Sequence, residues 1–139
     1  MPKKVLVVDD HVPTRALIRT ILEAERTDRF EVVEVGTGTD CLKAADKQGP
    51  FDLIILDVNL PDMDGYSVCR ALRHVDKKVP IVFVTAKGDL KDYTAGREAG
   101  GDSYLVKPIA RAALRSIVNL FTSIERADAD EAGQQGPSS

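Results

Sequence analysis

With 139 residues, 43% of them hydrophobic, the chain has room for one domain with a real core and not for two. A net charge of -3, with no Lys/Arg block longer than a pair, argues against a nucleic-acid or membrane-surface module. Cys41 and Cys69 form no disulfide framework, and the apolar residues between Lys4 and Asp9 are too few for a secretory signal or a membrane span. A reducing, cytoplasmic setting is therefore expected.

Short apolar runs alternate with segments of helical period along the chain. Val5 to Val8 is the first run, and Pro13 to Arg26 follows as a helix with Leu17, Ile18, Ile21 and Leu22 on one face. Pro13 falls in its first turn, where a missing N–H costs nothing. Phe30 to Val35 is the second run, and a helix follows Thr39. Leu53 to Leu56 is the third, with a helix after Gly65. Ile81 to Val84 is the fourth, with a helix over Asp89 to Ala99. Tyr104 to Val106 is the fifth, and a last helix carries Ala113, Leu114, Ile117, Val118, Phe121 and Ile124. Five strands alternating with five helices predict an α/β fold whose parallel sheet is covered on both faces. Glu31 and Glu34 in the second run, and the shortness of the fifth, mark those two as sheet edges. Beyond Arg126 the composition turns to Ala, Asp, Glu, Gln, Gly, Pro and Ser. The expectation is one domain over 1–126 and a disordered tail over 127–139, with any output coming from the surface of that one domain and no DNA-binding module following.

The ends of these runs carry the chemistry. The first ends in Asp9-Asp10, the third in Asp57, the fourth in Thr85 and the fifth in Lys107-Pro108. In a parallel sheet these ends lie on one side, where ligands bind. Two carboxylates about 4 Å apart repel by roughly 4 kcal/mol at an effective dielectric near 20, so positive charge must be present. Lys107 supplies one unit. The all-oxygen set of Asp9, Asp10 and Asp57 suits Mg²⁺. Zinc is disfavoured, because His11 and His74 stand far apart and neither cysteine has a CxxC partner. A carboxylate beside a cation, with a lysine and a hydroxyl in reach, suits in-line attack on a phosphoryl group to give an aspartyl-phosphate.

At this point the sequence resembles a known family. "VLVVDDH", "FDLIILDVNLPDMDG", "IVFVTA" and "AGGDSYLVKP" occur in the order and spacing of response-regulator receiver domains of two-component systems, over Lys3 to about Arg126. The likeness is to the stand-alone, chemotaxis-type receiver. It implies a flavodoxin-like fold with strand order 2-1-3-4-5. It also implies that Asp57 is phosphorylated, and that Asp10, Asp57 and the backbone carbonyl of Asn59 hold Mg²⁺ with help from Asp9. Thr85 and Lys107 would contact the phosphoryl group, and Tyr104 would turn inward as the switch aromatic when Thr85 is drawn to the phosphate. The donor would be a sensor histidine kinase or a histidine phosphotransfer protein, and the output a face for a downstream protein. The chain would act as a monomer or weak dimer, a phosphoacceptor with self-catalysed transfer and autodephosphorylation rather than a conventional enzyme. Lys107-Pro108 could be cis, as is common in the family. Asn59 and Lys87 occupy positions that, in the family, influence phosphoryl lifetime.

Other readings of the same residues stand beside these. Asp9 and Asp10 alone read equally as a loop start and helix cap, and Asp57 alone as a turn residue before Pro61. Thr85 alone is a β-former, Tyr104 an edge-strand aromatic and Lys107 a solvated lysine. Asp62 and Asp64 read as turn and helix-cap residues, and Asp52 as structural. "GTG" at Gly36 to Gly38 lacks the third glycine of a dinucleotide loop. Three residues depart from the family pattern: Gly101 where alanine is usual, Ile109 where phenylalanine is common, and Gly96 inside the expected output helix, where glycine costs about 1 kcal/mol relative to alanine. The rival function is a phosphorylation-independent binding module of the same fold.

Overall fold

The computed structural model describes residues 2–24, 30–86 and 90–134, with the side chains of Leu90 and of 123–134 left aside. Five strands, β1 (Lys3–Val8), β2 (Phe30–Val35), β3 (Leu53–Asp57), β4 (Ile81–Thr85) and β5 (Ser103–Val106), alternate with α1 (Val12–Glu23), α2 (Gly38–Gln48), α3 (Gly65–Val75), α4 (Leu90–Ala99) and α5 (Arg111–Gln134). The sheet order is β2-β1-β3-β4-β5 and every pairing is parallel. This is the expected doubly wound α/β fold, with β2 and β5 at the edges.

Period-two alternation divides each central strand between two cores. Leu6, Val8, Ile54, Leu56, Ile81 and Phe83 pack with Cys41, Val68, Cys69, Leu72 and Ala99 on the side of α2, α3 and the end of α4. Val5, Val7, Leu53, Ile55, Val82 and Val84 pack with Ile18, Ile21, Leu22, Leu114 and Val118 of α1 and α5. Burial on both faces is why these runs are continuous in sequence rather than alternating. On the edge strand β2, Glu34 is held by Arg15 at 3.2 Å and by Arg19, which also donates to the Val32 carbonyl at 3.0 Å.

Caps fix where the helices start. The Thr37 hydroxyl accepts from the Asp40 N–H at 3.0 Å ahead of α2, and an Asp64 carboxylate oxygen accepts from the Ser67 N–H at 2.8 Å ahead of α3. Pro13 lies in the first turn of α1, as read. That helix ends at Glu23 rather than Arg26, and 25–29 lie outside the described residues, as do Lys87 and Asp89. The last helix differs from expectation: α5 runs past Arg126 to Gln134, eight residues into the stretch read as unordered. Ala127, Ala129, Glu131 and Ala132 are strong helix formers, and a helix already nucleated and packed propagates without a new nucleation cost. Residues 135–139 lie outside the described residues.

Candidate functional site

Parallel pairing fixes which strand ends become neighbours. Val8 is in register with Leu56, so Asp9 and Asp57 leave adjacent strands at the same level. Asp57 is in register with Val84, and Thr85 with Val106, which brings Thr85 and Lys107 to the same rim. The Lys107 N–H donates to the Thr85 carbonyl at 2.8 Å, and Lys107-Pro108 is cis. Asp9, Asp57 and Thr85 are each no more than 3% exposed, whereas Asp10 is exposed.

Carboxylate oxygens of Asp9, Asp10 and Asp57 lie within 4.8 Å of one another. Lys107 Nζ bridges two of these acids, 3.1 Å from Asp9 Oδ2 and 3.2 Å from Asp57 Oδ2. The remaining carboxylate oxygens are steered by backbone. The His11 N–H donates to Asp9 Oδ1 at 2.9 Å and the Asn59 N–H to Asp57 Oδ1 at 3.0 Å. Burial raises the Asp57 pKa, with the Asn59 N–H pulling it back, the Asp9 charge adding to the rise and Lys107 opposing it. Burial alone would lower the Lys107 pKa, but the bond to Asp9 and the charges of Asp57 and Asp9 outweigh it and hold the ammonium protonated. One ammonium against three carboxylates leaves an excess of negative charge on hard oxygen donors. That donor set fits Mg²⁺, which takes one or two carboxylates with waters and a phosphate oxygen. Asn59 sits beside Asp57 in the following loop, where a short antiparallel bridge pairs it with Asp64.

The first turn of α3 is pressed against this site. The Gly65 N–H donates to the Val58 carbonyl at 2.7 Å, and a Cβ on Gly65 would stand 2.4 Å from the Asp57 carbonyl oxygen, so no larger residue fits. The other acids of the stretch do structural work. Asp52 accepts from the Lys4 N–H at 2.7 Å, and Asp64 caps α3. Asp62 reaches across to the start of α2, accepting from the Gly38 N–H at 2.8 Å and from the Thr39 N–H and hydroxyl at 2.9 and 2.7 Å. The Thr39 hydroxyl and these two N–H groups bring the Asp62 pKa down to about 2. Sequence reading gave Asp62 a local turn role and missed this tie.

Tyr104 is not at the acids. It stands inward beneath α4, its ring 5.5 Å from Phe83 and 4.7 Å from Tyr93, with its hydroxyl 3.1 Å from that of Tyr66. Two departures from the family pattern are explained here. A Cβ on Gly96 would lie 2.4 Å from the Tyr104 hydroxyl, and one on Gly101 would lie 2.3 Å from Phe83 Cε2. A bulky aromatic opposite each glycine was the missed signal. A separate cavity of 480 Å³, lined in part by Leu42, Phe51, Leu72 and Val75, lies between α2 and α3 and includes none of the acid-site residues. Among the described residues no helix is long and apolar enough to cross a membrane.

Comparison with known proteins agrees with this geometry. The family model "Response regulator receiver domain" matches residues 5–119. The chain is 42% identical over 108 residues to the DNA-binding response regulator MtrA of Mycolicibacterium paratuberculosis, covering 78% of this chain and 46% of that protein. It thus spans about half the length of the curated relatives it matches. Among solved structures, a response regulator from Chloroflexus aurantiacus superposes with a TM-score of 0.81 at 31% identity, covering 88% of this chain and 99% of that one. The chemotaxis response regulator CheY4 of Vibrio cholerae superposes with a TM-score of 0.80 at 30% identity, covering 87% and 99%. The chain belongs to the response regulator receiver domain family.

Proposed function

We propose that the chain is a phosphorylation-driven switch in which Asp57 accepts a phosphoryl group from a phosphohistidine on a sensor kinase or phosphotransfer protein. A carboxylate oxygen of Asp57 attacks phosphorus, a P–O bond forms as the donor P–N bond breaks, and the leaving imidazole takes up the proton it needs. The observation that carries this reading is the buried Asp57 held 3.2 Å from Lys107 within an acid cluster. A binding module would gain nothing from so repulsive a group.

Asp9, Asp10, Asp57 and the Asn59 carbonyl would hold Mg²⁺, which supplies charge neutralisation to phosphoryl oxygens when bound. Lys107 would do the same with its ammonium, and Thr85 would donate its hydroxyl to one oxygen. Once Asp57 carries the phosphoryl group as an acyl phosphate, the ion pair with Asp9 would keep the Lys107 ammonium in place. Thr85 moving toward the phosphoryl group would favour the arrangement in which Tyr104 stands inward, as it does here, a shift in population between two existing arrangements that alters the α4–β5–α5 face for a protein partner. The buried free thiols Cys41 and Cys69 accord with a cytoplasmic setting.

Magnesium-dependent transfer from a small acyl phosphate to Asp57, followed by intact mass, tests the reading. An Asp10→Ala variant with an unchanged Mg²⁺ titration would remove Asp10 from the ligand set.

A further inference from the structure

Tyr66 follows Gly65, and Gly65 has no slack against the acid site: a Cβ there would meet the Asp57 carbonyl oxygen at 2.4 Å and Val58 Cα at 2.8 Å. Any displacement of the backbone at Asp57 must therefore move the first turn of α3, because packed groups shift rather than compress. From that turn the Tyr66 ring packs edge-on to Phe83, with centroids 5.0 Å apart. Its hydroxyl reaches two elements of the output side, β5 and α4. It lies 3.1 Å from the Tyr104 hydroxyl on β5 and 3.4 Å from the Asp92 carbonyl in the first turn of α4. Tyr104 in turn fills the space left by Gly96, where a Cβ would lie 2.4 Å from its hydroxyl.

We propose that Tyr66 is a positioning residue that couples the acid site to the α4–β5 face through α3, by a hydroxyl bond to Tyr104, in parallel with the route through Thr85. The inference rests on the phosphoacceptor reading of Asp57. Tyr66→Phe keeps the ring against Phe83 and removes only the hydroxyl, with its bonds to Tyr104 and to the Asp92 carbonyl, and comparison with Tyr104→Phe separates the two. A single hydrogen bond of this kind changes an equilibrium by between about two-fold and about ten-fold.

The three tyrosines of the chain, Tyr66, Tyr93 and Tyr104, all stand in or beside this cluster, and the chain has no tryptophan. Ring-labelled tyrosine therefore reports on the cluster without background. The test titrates the full chain with fluoroberyllate and Mg²⁺ in wild type, Tyr66→Phe, Tyr104→Phe and the double variant, reading affinity and the Tyr93 and Tyr104 NMR signals. The expected result is a ligand-induced shift of those signals in wild type that shrinks in Tyr66→Phe. Affinity should change by about two- to ten-fold, and the double variant should match one single variant rather than the product of both. Gly96→Ala, which leaves Tyr66 intact and displaces Tyr104, should shrink the Tyr93 shift in the same way. A purely structural role for Tyr66 would leave the single-variant factors multiplicative. Wild-type affinity and a wild-type shift in Tyr66→Phe, or multiplicative factors, overturn the inference while leaving the Asp57 reading intact. Wild type that binds no fluoroberyllate overturns both.

Discussion

Lys107 Nζ lies 3.2 Å from Asp57 Oδ2, an ammonium and a buried carboxylate carried by strands two positions apart in the sheet. The same nitrogen holds Asp9 Oδ2 at 3.1 Å, so one positive charge is shared by two acids that would otherwise repel. Replacing Lys107 by methionine keeps the stem and removes that charge. Phosphorylation of Asp57 by a small acyl phosphate should slow by about 100-fold, the usual cost of losing one preorganised charge-stabilising donor. Rates from time-resolved intact mass give the comparison.

Asp57 should also weaken the fold it serves. Folding raises its pKa, chiefly through burial, so the folded state binds this proton more tightly than the unfolded chain does. The stability linked to that carboxyl is present below the ordinary carboxylate range and is lost as pH rises through the raised value. Without metal, Asp57→Asn should therefore melt above wild type at pH 7, and the gap should close as pH falls toward 4. Mg²⁺ at 100 times its Kd should return about 2.7 kcal/mol to wild type and less to the variant. Thermal melts with and without Mg²⁺ across pH check both.

Asp62 should behave in the opposite sense. Its pKa is lowered to about 2 by the Thr39 hydroxyl and the Thr39 and Gly38 N–H groups, so its contribution is present above the unfolded carboxylate pKa and is lost as pH falls through the lowered value. Asp62→Asn should be less stable than wild type at pH 7, with the difference vanishing toward pH 2. A pH-independent difference in urea midpoints would show that the carboxylate charge is not what fastens the β3–α3 loop to α2.

Gly101 and Phe83 should prove to be a matched pair. A Cβ on residue 101 would lie 2.3 Å from Phe83 Cε2, and the Gly96 carbonyl stands 3.2 Å away on another side. Gly101→Ala should cost about 1–3 kcal/mol by overpacking. Phe83→Leu should recover part of that loss in the double variant, which a denaturation cycle measures.

Which parts were legible in the sequence follows from the range of the interactions. The runs ending at Asp9, Asp57, Thr85 and Lys107 were readable because burial on both sheet faces demands continuous apolar residues, and parallel pairing then carries their ends to one rim. Thr37, Asp40, Asp64 and Ser67 form caps within three residues of each other, a local pattern. The bond between Tyr66 and Tyr104 spans 38 residues and that between Asp62 and Gly38 spans 24, and neither leaves a periodic trace. Gly96 looked like a flaw in a helix because its reason, the Tyr104 ring, is on another element. The run of α5 to Gln134 was missed because a polar composition was weighed without the packed helix that precedes it.

If Asp57 is the phosphoryl acceptor, the intact mass of the full chain after incubation with a small acyl phosphate and Mg²⁺ will report it. Wild type should gain one phosphoryl group, lost in alkali as an acyl phosphate must be, and Asp57→Asn should gain none. A wild-type chain that stays unmodified, or an equal adduct on the Asp57→Asn variant, would rule out Asp57 as the acceptor.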